Sequence, residues 1–486
     1  MQSFFVPNRR NRCVSLGLAI FWLGFSWFVL TPEAHAESSS SVDHGPLPMI
    51  VLGLIMVATY VAIAFELLHK SLAAMTGACL ATMAAVAFGL YGERGFEKVH
   101  DTIGHDLGVL GVLLGTSILV EIAGHSGLFH FISVKIVKKT EGESRRLFAW
   151  MAVLTVVFCT FLTIAPGTLI MVTLALAVTR ELKLDPKPYI IMIALVANSG
   201  ALMTFASGIC TMMIGSKAGL AYLDFFRVTT PIAIITAFVA FLVVRRVYRT
   251  SLVDTAPADE RAEKVAGFDE WALVHDRRIF WRSAIILLLT TVGFATAQTM
   301  GVGLDLVALT GGVAALLFSG FDTEKAIKKV KWPLIVFFIG LFVIIGAVQE
   351  SGLLVKLAGG IEYLSGGNGT ATMLIMAVFV LVLSGIVDNI PVAATLIPIT
   401  VAMGQNGADV TPLWWTLVIC SNLGGNSTPV GSVSSVIALH ALEQDRGIKI
   451  GWGEFLRIGG LTLACQGVVA IIYLYAFLSF DLFPRD

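Results

Sequence analysis

The chain has 486 residues, of which 56% are hydrophobic and only 14% charged, and its formal net charge is zero. Soluble domains carry roughly 25% charged residues, so a water-soluble enzyme is excluded and a polytopic membrane protein is indicated. The balanced charge offers no basis for nucleic-acid binding, and the six scattered cysteines contain no C-x-x-C pair, so they read as packing residues rather than a metal or disulfide framework.

Arg9, Arg10 and Arg12 precede an apolar run over 14–30 and then Ala34-His35-Ala36. This is the layout of a secretory signal peptide, 1–36, cleaved after Ala36, or of an uncleaved signal anchor. A serine-rich periplasmic lead-in, 37–47, follows. Ten crossings are then expected at 48–68, 71–91, 107–133, 188–216, 226–244, 279–298, 302–320, 332–349, 413–440 and 455–480, with two re-entrant hairpins at 147–179 and 371–403. A mature N-terminus outside puts 24 of the 33 lysines and arginines on the cytoplasmic side, 6 outside and 3 in the leader, which agrees with the positive-inside rule. The expected location is the inner membrane of a bacterium, with multiple passes.

A charged cytoplasmic linker, 245–278, divides the first unit, 48–244, from the second, 279–480, which a short tail, 481–486, follows. The units resemble each other. LLGTSILVEIAGHSGL (113–128) and FIGLFVIIGAVQESGL (338–353) share Gly115 with Gly340 and a Ser-Gly-Leu ending at an offset of 225, and Thr76-Gly77 pairs with Thr310-Gly311. The topology places the matching segments in opposite orientations. The expected fold class is therefore an all-α polytopic membrane protein, an inverted repeat of about ten transmembrane helices plus two re-entrant hairpins, with a site at the midplane between the halves.

Asp388 stands alone in the apolar run SGIVDNIPVAATLIPI, 384–399. An ionised carboxylate at membrane depth costs at least a few kcal/mol and faces a protein interior or a watery cavity; the alternative is a helix cap at a loop tip. The polar pair Asp388-Asn389, followed by Pro391, marks one hairpin tip, and TIAPGT, with Pro166, Gly167 and Thr168, marks the other. About thirty residues beyond each tip comes a glycine-bearing break: VANSGALMTFASG, with Asn198, Ser199 and Thr204, and CSNLGGNSTPVGS, with Asn422, Gly424, Gly425, Asn426, Ser427 and Thr428. Broken membrane helices present free N–H and C=O groups and dipole ends to an ion or substrate. Each hydroxyl or amide alone is equally an interhelical hydrogen bond. Glu121, His125, Glu66 with His69, Asp305 and Glu350 read as interfacial residues near helix ends.

VDNIPVAATLIPI followed by SNLGGNSTPVGS resembles the Asp-Asn hairpin and the Gly-Gly-Asn/Thr-x-Thr-Pro-x-Gly loop of the ion transporter superfamily of citrate and dicarboxylate carriers, arsenite permeases and D-type sodium/proton antiporters. The first half departs from that pattern, with Ala165-Pro166 where permeases and antiporters repeat Asp-Asn. The resemblance implies an elevator-like architecture, in which hairpins and broken helices form a transport domain moving against a scaffold, and a homodimer.

The expected function is secondary active ion transport, with Na⁺/H⁺ antiport first and Asp388 as the exchange site; Asp388 and Asn389 would ligate Na⁺, the coupling ion being Na⁺ or H⁺ with no other cofactor. The alternative is an organic acid, such as citrate or a dicarboxylate, or an oxyanion such as arsenite, held at helix ends. No Arg or Lys is evident inside a span to clamp a carboxylate, which weighs against the anion. A transport-dead sensor is a minor alternative. No nucleophile motif or metal cluster points to an enzyme. The partners expected are a small ion or anion and the lipid bilayer.

Overall fold

The computed structural model describes residues 46–484 apart from 65, 66, 106, 255, 275, 298 and 387, and leaves out the side chains of 64, 93, 105 and 362. The leader, most of the serine run and Glu66 lie outside the described residues.

The first half runs α1 (Pro46–Ala64), α2 (Lys70–Ala87), α3 (Glu97–His105), α4 (Leu107–His125), α5 (Leu128–Lys138), α6 (Ser144–Leu162), α7 (Ile164–Glu181), α8 (Lys187–Gly200), α9 (Ile209–Ala218) and α10 (Tyr222–Val247). One helix, α11 (Ala258–Ala266), lies in the linker. The second half repeats the order: α12 (Arg277–Thr296), α13 (Leu304–Ser319), α14 (Thr323–Lys329), α15 (Trp332–Glu350), α16 (Leu353–Ser365), α17 (Gly369–Ile386), α18 (Asn389–Gln405), α19 (Thr411–Gly424), α20 (Val433–Arg446) and α21 (Trp452–Ser479).

Among the described residues ten helices are long and apolar enough to cross a membrane, and α6, α7 and α17 are among them. Those three are hairpin arms, whereas α8 with α9 and α19 with α20 fall short individually because each pair is one interrupted helix. A hairpin that returns to its own side adds no net crossing, so each half crosses five times. An odd number sets the second half upside down relative to the first.

The shared motifs mark where the repeats meet. α4 packs along α13, and α15 along α2. A Cβ added at Gly115 would come within 2.3 Å of the Ala308 carbonyl, and one at Gly340 within 2.7 Å of the backbone of Ala74. Only glycine admits these crossings. The Ser-Gly-Leu endings form the joints from α4 to α5 and from α15 to α16: Ser126 Oγ donates to Ala123 O at 2.7 Å and Ser351 Oγ to Val348 O at 2.6 Å, each hydroxyl then accepting from the leucine N–H that opens the next helix. Gly127 and Gly352 turn there at φ 79° and 75°, a left-handed conformation that costs glycine nothing.

The hairpins and interrupted helices interlock. α9 packs on α18 and α19, while α20 packs on α7 and α8, so the second piece of each interrupted helix is seated on the other half's hairpin unit. α10 and α21 cross each other behind them, against α8 and α19 respectively. The linker is docked rather than free: Glu270 pairs with Lys138, and Trp271 sits 4.5 Å from Phe131 on α5.

Candidate functional site

In the first half the chain reverses at a single residue, Thr163, with φ 67° and ψ 165°. Such a conformation costs a β-branched residue on the order of 1–3 kcal/mol and concentrates at functional sites. Pro166 and Gly167 lie in the first turn of α7, with Thr168 just beyond it, and Pro391 lies in the first turn of α18. The expectation that Pro166 and Gly167 break the helix is thus corrected: a proline in a first turn forfeits an N–H that has no intrahelical partner. Gly167 serves packing, since a Cβ there would stand 3.0 Å from the Cys159 backbone. Thr168 is fully buried.

The two breaks are held by hydroxyls, because backbone groups released at membrane depth require internal partners. At the first, Ser207 Oγ bonds Ala201 O and Thr204 O, both at 2.6 Å, Thr229 Oγ1 donates to Leu202 O, and Thr230 Oγ1 to Met203 O. Thr160 Oγ1 on α6 reaches Gly200 O at 3.2 Å, and Thr204 Oγ1 answers to Thr160 O. At the second, Ser384 Oγ on α17 reaches Ser421 O at 2.5 Å, while Ser427 and Thr428 donate to Gly385 O. Gly424 allows α19 to approach α17, where a Cβ would lie 2.7 Å from that of Ser384; a Cβ added at Gly425 would lie 2.7 Å from Gly431 O. The sequence-predicted Thr204, Gly424, Gly425, Ser427 and Thr428 therefore bind hairpin to break, or close the break upon itself.

A buried chain of side chains joins the halves. Ser199 Oγ accepts from Thr236 Oγ1 at 3.1 Å, Gln466 Nε2 donates to Thr236 O, Asn426 Nδ2 to Gln466 Oε1 at 2.8 Å, and Asn198 Nδ2 to Asn426 Oδ1 at 2.7 Å and to Ser432 Oγ. Ser199 and Asn426 are thereby interhelical partners. The amide oxygens of Asn198 and Asn422, equivalent positions in the repeats, are different: both are buried with no hydrogen-bond partner among the described residues. Asn422 Oδ1 faces Gly208 of the first break.

Asp388 occupies the N-cap position of α18 without a side-chain capping bond. Its Oδ2 meets the Lys70 ammonium, from the first turn of α2, at 2.5 Å; its Oδ1 is buried without a partner among the described residues. The carboxylate is 7% exposed and the Lys70 side chain 42%. Asn389 follows, buried, as the first residue of α18. The expectation that no Arg or Lys is placed to clamp a substrate carboxylate is corrected, since Lys70 and Lys331 both line the cavity beside Asp388. Lys70 and Lys331 open helices at the ends of loops, where they read as topogenic charges, and the fold sets both on the wall of one cavity. Ser71 Oγ donates to Pro333 O at 2.5 Å, fastening the start of α2 to that of α15.

Lys70, Lys331, His69 and Asp388 line one cavity of about 650 Å³. Its wall includes Ser71, Pro333, Ala165, Ile209, Ile390 and Val433, each in the first turn of a different helix: α2, α15, α7, α9, α18 and α20. Each helix N-terminus carries about half a positive charge. The cavity is therefore electropositive beyond its two lysines. A second cavity, of about 510 Å³, reaches Ala394 on α18 and Glu350 at the far end of α15. Only the span from Ile390 to Ala394, about 6 Å of helix rise, separates the two along α18.

Three other sequence-noted titratable residues have partners of their own. Glu121 pairs with Lys329 at 2.6 Å, His125 packs edge-on against Phe321 at 4.7 Å, and Glu350 pairs with Lys98 at 3.1 Å.

Two interrupted helices, two hairpin tips and two cavities converging between repeats define a membrane transporter. The chain belongs to the citrate transporter family, CitMHS, which matches residues 60–420. Similar proteins include an uncharacterized transporter of Mycobacterium tuberculosis, 28% identical over 430 residues, 88% of this chain and 98% of that protein. Another, from Synechocystis, is 25% identical over 457 residues, 88% of this chain and 97% of that protein. Among solved structures, the YdaH transporter of Alcanivorax borkumensis superposes with a TM-score of 0.63 over 86% of this chain and 100% of that one; at 15% identity the likeness is one of fold.

Proposed function

We propose that the protein is a secondary active transporter of a small carboxylate or oxyanion, coupled to Na⁺ or H⁺, with hairpins and interrupted helices moving as one body past the scaffold of α2, α4, α13 and α15. One observation carries this reading: among the described residues the one acid lining the cavity is already neutralised by Lys70, so Lys331 and six helix N-termini give the site a positive potential. The unpartnered oxygens of Asn198, Asn422 and Asp388 are suited to a coupling cation. A second reading, Na⁺/H⁺ antiport with Asp388 as the exchange site and Asn389 beside it, draws support from those same oxygens, with the Lys70 ammonium then the group a cation must displace. The proposed setting is a bacterial inner membrane, with the mature N-terminus outside and the chain dimeric.

The test is flux in proteoliposomes holding an internal pH dye. Citrate, succinate or arsenite should drive the signal, and Na⁺ or H⁺ gradients should set its rate. Proton movement driven by Na⁺ or Li⁺ alone, with no response to any of the three anions, would transfer the assignment to the antiporter.

A further inference from the structure

We infer that Lys70 receives a carboxylate of the transported anion, and that Asp388 is a built-in competitor holding that place in the empty carrier. The inference rests on the anion reading above.

Asp388 has a local use it does not take. An aspartate at an N-cap ordinarily accepts from the first turn's N–H groups, and this chain does so twice: Asp276 accepts from Arg278 N and Asp322 from Glu324 N. Asp388 stands at the same position on α18 with its carboxylate turned to a residue 318 positions away. The pair is also lopsided. Its acid is almost fully buried, while the Lys70 side chain is partly exposed and lines the cavity that Lys331 and His69 share. A ligand carboxylate can therefore approach Lys70 from the cavity and replace one carboxylate by another, so that the ammonium is never left unpaired. A dicarboxylate would set its second group toward Lys331.

Displacement has a consequence for coupling. Asp388, released from Lys70 with Oδ1 already unpartnered, becomes a buried anion that takes up a proton or Na⁺. Among the described residues, the charged and titratable groups facing it are Lys70, Lys331 and His69 across the cavity and the Cys210 thiol on α9. Anion and cation then bind as one event. Each raises the affinity of the other, which is the thermodynamic content of symport.

The experiment reads the unfolding temperature of the purified full chain against citrate and succinate concentration, with and without Na⁺. It compares wild type with Asp388→Asn, Lys70→Gln and Lys70→Arg. Asp388→Asn should bind the anion more tightly, by a factor on the order of 5–150, the usual range of a coupling between sites. Its affinity should no longer depend on Na⁺ or pH. Lys70→Gln should weaken anion binding by a similar factor and Lys70→Arg should retain it. Asp388→Ser replaces Asp388→Asn where the latter does not purify as a single species. If wild type binds the anion but the Asp388 variant binds it equally or more weakly, or Lys70→Gln binds it unchanged, the inference is overturned and the anion reading stands. If neither anion shifts wild type and none of citrate, succinate and arsenite is transported, the anion reading itself falls, and the inference with it.

Discussion

Among the described residues Asp276, Asp322 and Asp388 stand at helix N-caps, and their different fates show how a single residue is assigned its work. Asp276 and Asp322 are exposed and cap; Asp388 is buried, and an ammonium within reach outcompetes the backbone N–H groups for its charge. The glycines divide in the same way. At Gly115 an added methyl meets the Ala308 backbone, which cannot rotate away, so Gly115→Ala should lose about 1–3 kcal/mol to overpacking. That exceeds the roughly 0.5–1 kcal/mol alanine gains in a helix interior. Gly340→Ala should follow it to a smaller degree, its closest approach being longer. Gly360, on α16 with nothing within 4 Å, is the control. Gly360→Ala should be neutral or stabilising when the three variants are compared by thermal unfolding in detergent.

Among the elements, the interrupted helices stand out because their polar residues serve two ends. Most of the hydroxyls that mark the breaks satisfy carbonyls which the missing helical turns would have used, and the amides tie one half to the other. Asn426 is the centre of that tie. Asn426→Ala would strip Gln466 Oε1 of its donor and leave Asn198 Nδ2 with Ser432 alone, so unfolding measurements should register a loss of about 1–3 kcal/mol. Asn422 should behave differently. Its side chain makes one bond, to Val418 O within its own helix, and its oxygen makes none, so Asn422→Ala should cost less stability than Asn426→Ala while reducing the dependence of flux on the coupling cation. Equal losses of stability in both variants would make Asn422 one more interhelical brace.

In the whole molecule the Lys70–Asp388 pair joins the two bodies that the proposed mechanism moves past one another. Lys70 opens a scaffold helix packed on α15, while Asp388 sits at the tip of a hairpin whose arms pack on α19 and α9. The pair lies in the first cavity, and about one turn of α18 bars that cavity from the second. A carrier of this design should stop when the contact is made permanent. In a cysteine-free background, Ser71→Cys and Ile390→Cys, which line the same cavity from α2 and α18, joined by a thiol-cleavable bis-methanethiosulfonate bridge should halt flux, and excess thiol should restore it. Flux that survives the bridge would place the moving boundary elsewhere. The symmetry is also unequal, since the basic mouth is built from Lys70 and Lys331, whereas Asp305 lies at the start of α13, the repeat partner of α2.

Much of this was legible in the chain itself. Apolar run length and the bias of lysine and arginine determined the crossings, and the two hairpins followed because a single crossing at either would have put basic loops on the wrong side. The repeat was legible because its glycines and Ser-Gly-Leu joints are demanded locally, by a close backbone approach and a left-handed turn, and so leave a mark in sequence. Asp388 announced itself by the cost of its charge. What only the tertiary structure decided was partnership. Lys70 and Lys331 look like any loop lysine, and nothing within their own segments signals a carboxylate more than three hundred residues from Lys70. Hydroxyls that fill a backbone gap and hydroxyls free to hold an ion have the same sequence signature. They differ only in which acceptors the packed helices leave within reach, and that is settled when the two halves close around the cavity.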